Sequence, residues 1–199
     1  MKRRHTLLAG LGFATLGLTG CAVDTVPTRW YELRAEPPQS TPAARRGDGA
    51  VWEVAGTVRL PGALDRDTLV VASGASMVVP LTGHRWAEPL RDSIPARLVA
   101  DLAVLRGEGL IWRGPAPSSV AVDKRLRVQI DALIADSSRR SLHLKARWWL
   151  SDERGNKAAP VLGEADVQVA LADNSVDALA AGHRMAIWQL AQRIVGGGA

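Results

Sequence analysis

The side chains that usually carry catalysis lie in no recognisable catalytic pattern in this sequence. None of the histidines pairs with another histidine, or with an acid, at the spacing of metal ligands. No serine occupies a G-x-S-x-G or S-x-x-K motif, and neither a P-loop nor a G-x-G-x-x-G fingerprint occurs. The sequence therefore predicts a protein that is not an enzyme and that uses no metal or cofactor. The four histidines are His5, His84, His143 and His183.

We interpret two of the histidines and one acidic segment as surface features without a catalytic role. His143 alternates with apolar residues and is expected on the solvated face of a strand. His183 lies in the last predicted helix, where we expect a surface or boundary position. Asp65-Arg66-Asp67 follows a Pro-Gly turn and is expected to be a solvated loop. None of these positions is predicted to be catalytic.

The position of the only cysteine indicates a different chemistry. Cys21 follows Leu18-Thr19-Gly20, the leucine and two small residues of a bacterial lipobox. The basic residues 2–4 precede an uncharged run, Leu7–Leu18, that is too short to span a bilayer and fits the apolar core of a secretory signal. In proteins with this motif the cysteine thiol receives a diacylglyceryl group. The signal is then cleaved, and the new amino terminus is acylated with a fatty acid such as palmitate. We therefore predict a lipoprotein signal peptide over residues 1–20 and lipidation of Cys21.

Lipidation also predicts a location. Several acyl chains on one residue hold a protein at a membrane without a spanning helix. Residues 21–29 would then be the lipidated amino terminus and its tether. Ala22 follows the cysteine, where an aspartate would retain an enteric lipoprotein in the inner membrane. We expect the periplasmic face of the outer membrane.

The charge balance argues against a nucleic-acid partner. Three of the 25 basic residues and none of the 20 acidic residues fall within residues 1–20, so the mature chain is nearly neutral. A nucleic-acid-binding domain would carry a strongly basic face. With Cys21 acylated, no thiol remains for a disulfide, so the core must stabilise the fold unaided.

Short strands are predicted in the first half of the chain, where apolar and polar residues alternate. A first strand begins at Trp30, and the Pro-rich and polar residues 36–50 read as a loop. Residues 51–60 are predicted to form one strand, with Trp52, Val54, Val58 and Leu60 on a single face. Further short strands are expected at 68–73, 76–81 and 109–113.

The clearest pattern is an antiparallel meander of three strands with one buried and one wet face. One register of its second and third strands places Arg147 opposite Glu164 and Lys145 opposite Asp166. Such pairs contribute roughly 0.2 to 1 kcal/mol each, so they tune the register. The strands cover 125–134, 142–150 and 161–171. The residues expected to face the core on the first of them are Leu126, Val128, Ile130, Ala132 and Ile134.

Two helices complete the predicted domain. The first begins near Pro89, which suits a first helical turn, and its stripe of leucine and isoleucine leaves Asp101 off the apolar face. Pro95 is expected to bend this helix or to mark a later start. The second helix covers about 175–195, with Asp173 or Asn174 as its cap and residues 196–199 as a flexible tail.

These elements predict an α+β fold. The expected architecture is a largely antiparallel sheet with two main helices packed on one face, in a single domain over residues 30–195.

The tryptophans supply a candidate partner surface. Trp52 and Trp148 fall on apolar strand faces and are expected in the core. Trp149 falls on the polar face beside Arg147. Two interpretations stay open for it: an indole shielded by neighbouring arginine stems, or a contact with a partner, since Trp and Arg are enriched in interface hot spots.

Several segments together resemble one known family. They are Trp30-Tyr31-Glu32-Leu33 after the lipobox, VRLPGALDRDTLV at 58–70, RWAEPL at 85–90, and the hairpin at 126–150 with its L-x-A-x-W-x-L ending. The chain resembles the ABC-type transport auxiliary lipoprotein family over nearly all of residues 21–195.

The resemblance implies a non-enzymatic accessory role. The implied partners are an MCE-domain protein that spans the periplasm and its inner-membrane transporter, with homo-oligomers also compatible. Arg85, Trp86, Glu88 and Pro89 are motif residues, which we expect to be structural. The alternative is a stand-alone periplasmic lipid carrier, which would need an apolar cavity; a tethered hydrolase would need motifs that the sequence lacks.

Overall fold

The structure is a computed structural model that describes residues 26–34, 49–155 and 159–197. Cys21, the predicted signal peptide and most of the 36–50 loop lie outside these residues, so their assignments stay predictions. None of the helices in the described ranges is long and apolar enough to cross a membrane. The elements in chain order are β1 (Arg29–Tyr31), β2 (Trp52–Val54), β3 (Thr68–Ser73), β4 (Met77–Trp86), α1 (Leu90–Arg106), β5 (Ile111–Arg113), β6 (Lys124–Ala135), β7 (Ser141–Asp152), β8 (Val161–Ala170) and α2 (Val176–Gly197).

The strands form two sheets rather than the single sheet that we predicted. One sheet has the order β1-β4-β3, and the other has the order β5-β2-β6-β7-β8. Strand β1 is parallel to β4, and β2 is parallel to both β5 and β6, so both sheets are mixed. Helix α2 packs on β7 and β8, α1 packs on β2 and β5, and the two helices contact each other. The α+β class and the single domain are confirmed, with both helices side by side on the larger sheet.

The meander has the predicted register between β7 and β8 but a bulge in β6. Arg147 pairs with Glu164 and Lys145 with Asp166, as expected. In β6 the register shifts between Ile130 and Ala132, which leaves Asp131 as an extra residue. One extra residue reverses the side on which every later side chain lies. The expectation that Ala132 and Ile134 face the core was therefore wrong: both are half-buried, and the residues that become buried are Leu133 and Ala135.

Helix α1 includes Pro95 without a break because another segment replaces the missing hydrogen bond. Proline has no N–H to donate to the carbonyl four residues earlier, which here belongs to Arg91. The backbone N–H of Val58 donates to that carbonyl instead, at 3.2 Å. This contact also explains why the predicted 51–60 strand ends early: β2 stops at Val54, and residue 58 bonds to the helix.

Helix α2 begins at Val176, one residue after its predicted start, and ends later than expected. The hydroxyl of Ser175 accepts the N–H of Ala178 at 3.0 Å, and Asp173 accepts the N–H of Ser175 at 2.7 Å. Ser175 is therefore the residue that caps the helix. The predicted cap, Asp173, instead accepts a hydrogen bond from the backbone of that serine. The helix continues through Gly197, so Gly196 and Gly197 are helical, and residues 198–199 lie outside the described ranges.

Candidate partner-binding surface

The outer face of the larger sheet, opposite the helices, carries the surface predicted from the sequence. Arg127 on β6 is the register partner of Trp149 on β7, which is the partner of Leu162 on β8. These three residues form a row across three strands, which we name the Trp149 patch. Leu162 is 75% exposed, the highest value among the exposed large hydrophobic residues of the described chain, whereas Trp149 is half-buried. Trp149 thus lies beside an exposed apolar residue that the sequence analysis did not select.

The patch lies at an edge of the fold. Strand β8 is the last strand of its sheet, and its first two residues, Val161 and Leu162, are both exposed before regular alternation begins. An open cleft of about 370 Å³ adjoins the patch. It is lined by Arg147, Trp148, Trp149, Leu162, Gly163 and Glu164.

Arg147, the other predicted surface residue, is held by a carboxylate. Its guanidinium donates to both oxygens of Asp131, at 2.8 Å and 3.0 Å. This hydrogen bond lowers the pKa of Asp131 and raises the pKa of Arg147. Asp131 is the bulge residue of β6, and its carboxylate lies on the outer face. Arg147 is therefore oriented next to Trp149 by a fixed partner.

Gly163 lets β8 lie close to Trp148 on the helix side of the sheet. A Cβ atom added at Gly163 would come within 2.2 Å of the Trp148 ring. Trp148 is buried, as predicted, and so is Trp52. Because Gly163 has no side chain, the Trp148 indole can pack directly against the backbone of the edge strand β8.

Replacing Gly163 with alanine is expected to displace Trp148 and to lower the free energy of unfolding by about 1–3 kcal/mol, the usual cost of overpacking. Denaturant unfolding followed by tryptophan fluorescence measures this change. Gly62→Ala is the matched control, because an added Cβ there has nothing within 4 Å and the backbone is not left-handed. Equal stability of the two variants would contradict the close packing.

The RWAEPL segment makes contacts within the fold. Arg85 forms an ion pair with Asp67 that lowers the pKa of this carboxyl group. Trp86 is buried, and Pro89 precedes the first residue of α1 as its N-cap. The segment therefore joins the small sheet to α1. Within the Asp65-Arg66-Asp67 loop, which is exposed as predicted, Asp65 also binds Arg91 at 2.6 Å.

His183 is buried rather than at the surface, which corrects the prediction. Its side chain is 3% exposed and packs edge-on against Trp86, with ring centroids 5.1 Å apart. Its Nδ1 lies 2.8 Å from the carbonyl oxygen of Leu179. Burial lowers the pKa of His183 to about 4, so the ring is neutral at pH 7. By contrast, His143 is solvent-exposed as predicted and lies 2.7 Å from Asp166.

A buried ion pair that the sequence analysis missed connects the two helices. Arg184 on α2 donates to both carboxylate oxygens of Asp101 on α1, at 2.5 Å and 2.9 Å. The two side chains are 5% and 3% exposed. Burial raises the pKa of Asp101, and the hydrogen bonds from Arg184 act in the opposite direction. Asp101 is therefore buried between the two helices, although the sequence pattern placed it off the apolar face of α1.

Two grooves flank the first strand. One, of about 390 Å³, is lined in part by Glu32, Glu88 and Arg97. The other, of about 370 Å³, is lined in part by Trp30, Arg34 and Asp177. Charged groups in both walls make them poorly suited to acyl chains, which favour apolar surroundings.

Comparisons with known proteins agree with this architecture. A family model described as "ABC-type transport auxiliary lipoprotein component" matches residues 31–195. A crystal structure of an uncharacterised protein superposes with a TM-score of 0.69 at 15% identity, covering 87% of this chain and 99% of that one. A Xanthomonas campestris protein of the DUF330 family gives a TM-score of 0.63 at 16% identity, covering 84% of this chain and 91% of that one. Both likenesses show the fold. No curated protein matches the sequence.

Proposed function

The chain belongs to the ABC-type transport auxiliary lipoprotein family, and we propose that it is a non-catalytic accessory component of an MCE-type intermembrane transport system. The family places it among membrane-anchored lipoproteins of transport systems. In our proposal Cys21 carries the lipid and holds the domain at the periplasmic face of the outer membrane. The transported material is lipid or another hydrophobic solute, which passes through the partner assembly.

The Trp149 patch is the observation that supports a docking role. It combines a tryptophan, an exposed leucine and an arginine in one row. Tryptophan and arginine dominate interface energetics when they become buried, and the leucine adds apolar surface beside them. Arg147, fixed by Asp131, extends the row with an oriented guanidinium. An MCE-domain protein is the proposed occupant of this surface.

The interior of the domain supports docking over carriage of a ligand. Side chains from both sheets and both helices fill the core of the described chain, and many of them have no exposed surface. The grooves beside β1 have charged walls. A carrier would instead present an apolar cavity of acyl-chain dimensions.

Leu162→Asp is expected to lower recovery of an MCE-domain protein at least about tenfold in a crosslinking pull-down of the full-length lipoprotein, because it replaces the most exposed apolar residue of the patch with a charge. The eluate is analysed for proteins and for lipids. Val104→Asp is the matched control: Val104 is 52% exposed on α1, so the same charge is added away from the patch.

Three outcomes separate the possibilities. Recovery of an MCE-domain protein by the wild type and by Val104→Asp, but not by Leu162→Asp, supports docking through the patch. Equal recovery by all three proteins would place the interface elsewhere. Stoichiometric lipid without such a partner would favour the stand-alone carrier.

A further inference from the structure

The domain has two opposite ends, and the Trp149 patch lies at one of them. Helix α2 has 22 residues and is therefore about 33 Å long. Its last residue, Gly197, lies next to Trp148, as a Cβ added there would be 3.5 Å from the indole. Trp149 follows Trp148 directly, so the end of α2 and the Trp149 patch share one end of the domain.

The other end contains the start of α2, the β6–β7 turn and the amino-terminal segment. Ser141, the first residue of β7, pairs with Ala170, the last residue of β8, which leads into α2. Trp30 lines a groove together with Ala180 and Ala181 of the first turns of α2. We name this region the anchor end and define it by Val26, Arg29, Trp30 and the turn residues 136–140.

The small sheet brings the amino-terminal segment and the turn together. Val26 lies against Gly83 of β4, where an added Cβ would be 2.8 Å from the valine Cγ1. Arg29 is the register partner of His84, and the charges of Arg29 and Arg139 both act on His84, whose pKa is lowered mainly by burial. The β6–β7 turn also meets the small sheet through a bridge between Ala72 and Asp136.

The predicted lipidation site is within a short distance of this end. Five residue steps separate Cys21 from Val26, so the chain between them spans at most about 18 Å. That span is shorter than α2. If Cys21 carries the lipid, as proposed above, the anchor end must lie close to the membrane.

The exposed side chains of the anchor end suit a lipid headgroup layer. Val26 is 59% and Trp30 is 61% exposed. Val26 lies within the predicted tether, and Trp30 follows it directly. Tryptophan is enriched at membrane interfaces, because its ring is apolar and its N–H is polar. Arg29 and Arg140 are also exposed, and guanidinium groups bind phosphate. Asp136 is the one acidic residue among those that define the anchor end, and its carboxylate accepts a hydrogen bond from the Ser138 hydroxyl.

We propose that the anchor end rests on the surface of the phospholipid bilayer, with Trp30, Val26 and Arg29 in its headgroup layer, so that the Trp149 patch faces away from the membrane. This inference rests on the proposed lipidation of Cys21. It adds an orientation: the lipid and the protein partner occupy opposite ends of the domain.

Single-cysteine labelling of the full-length lipoprotein tests this orientation. Cys21 is the only cysteine and is acylated in the proposal, so a cysteine introduced at Ser137 or Leu162 is the only reactive thiol. Each variant carries the same fluorophore and is reconstituted into phosphatidylethanolamine–phosphatidylglycerol vesicles that contain a headgroup-nitroxide lipid. Because the ends are separated by about the length of α2, we expect at least about threefold stronger quenching at Ser137→Cys than at Leu162→Cys.

Paired substitutions at the two ends identify the residues responsible. In the Ser137→Cys background, Arg29→Gln with Trp30→Ala is expected to reduce quenching. Arg127→Gln with Trp149→Ala, the matched arginine–tryptophan pair at the far end, is expected to leave it unchanged. An equal effect of the two pairs would overturn the role of Arg29 and Trp30.

Flotation of the vesicles separates this inference from the proposed anchor. A protein that does not float with the vesicles lacks the lipid anchor, which would overturn the lipidation and the orientation together. A protein that floats but shows equal quenching at both labels, or stronger quenching at Leu162→Cys, would keep the anchor and overturn the orientation alone.

Discussion

Arg184→Met is expected to lower the free energy of unfolding by about 3–5 kcal/mol, because it leaves the buried carboxylate of Asp101 without its partner. The two side chains are almost fully enclosed between α1 and α2, and both guanidinium–carboxylate hydrogen bonds are lost together. A loss of this size is a large part of the usual stability of a single domain.

Urea unfolding of the unlipidated chain from Ala22 onward measures this loss. The double variant Asp101→Leu with Arg184→Met is the control, because it removes both charges and fills the space with apolar atoms. Such replacements of buried ion pairs are often neutral or stabilising, so the double variant should regain most of the lost stability. A double variant as unstable as Arg184→Met would show that the cost comes from packing rather than from the unpaired charge.

The pH dependence of Arg184→Met provides an independent check. Burial raises the pKa of Asp101, and removal of Arg184 takes away the group that opposes this rise. A carboxyl group whose pKa is higher in the folded state binds more protons when folded, so stability falls as pH rises between the unfolded and folded pKa values. The variant should therefore lose less stability, relative to the wild type, at acidic pH than at pH 7.

Asp101 could not be assigned from the sequence because a helical pattern describes one helix at a time. The leucine and isoleucine residues of α1 predict the face that meets the core, and Asp101 lies beside that face. Which neighbour covers this flank depends on the position of α2. Arg184 and Asp101 are 83 residues apart in the chain, and neither residue alone indicates the other.

For the strands too, the sequence predicted the features that depend on a local pattern and not those that depend on distant segments. Alternation predicted β6, β7 and β8 and the register of β7 with β8, because each pattern is set by which side chains face the helices. Alternation could not predict the bulge at Asp131, which interrupts the pattern within an otherwise regular strand. The separation into two sheets could not be predicted, because the parallel pairings of β1 with β4, and of β2 with β5 and β6, join strands that are distant in the chain.

The candidate surface was predicted in part. Trp149 and Arg147 could be selected because a tryptophan on a polar strand face is unusual. Leu162 could be assigned to this surface only from its register with Trp149. In the sequence alone, an apolar residue at the start of a strand is common and does not indicate an interface. The lipidation of Cys21 lies outside the described residues and depends on the lipobox alone.

His183 is expected to make the domain less stable in mildly acidic solution. Its pKa is lowered from 6.5 to about 4 in the folded protein by burial. An unfolded chain binds a proton at this residue below pH 6.5, whereas the folded protein resists it. The stability that His183 contributes is therefore complete above pH 6.5 and is lost as the pH falls toward 4, by about 3 kcal/mol in total.

His183→Phe should remove this part of the pH dependence and keep an aromatic ring against Trp86. The variant is expected to be less stable than the wild type at pH 7, where the bond to the Leu179 carbonyl is lost, and to approach or exceed it near pH 4.5. Urea unfolding from pH 7 to pH 4.5 measures this difference. Carboxyl groups that begin to titrate near pH 4.5 do so in both proteins, so their contribution cancels in the comparison.

The control for this experiment must destabilise α2 without changing a titratable group. Ile187→Val removes one buried methyl group from the same helix and should shift the whole stability curve by roughly 0.5–1.5 kcal/mol, with the same pH dependence as the wild type. His84, whose pKa is also lowered, contributes in the same direction in all three proteins and cancels in the comparison. Parallel curves for the wild type and His183→Phe would mean that His183 is accessible to protons in the folded state. That result would contradict a ring enclosed between Trp86 and α2.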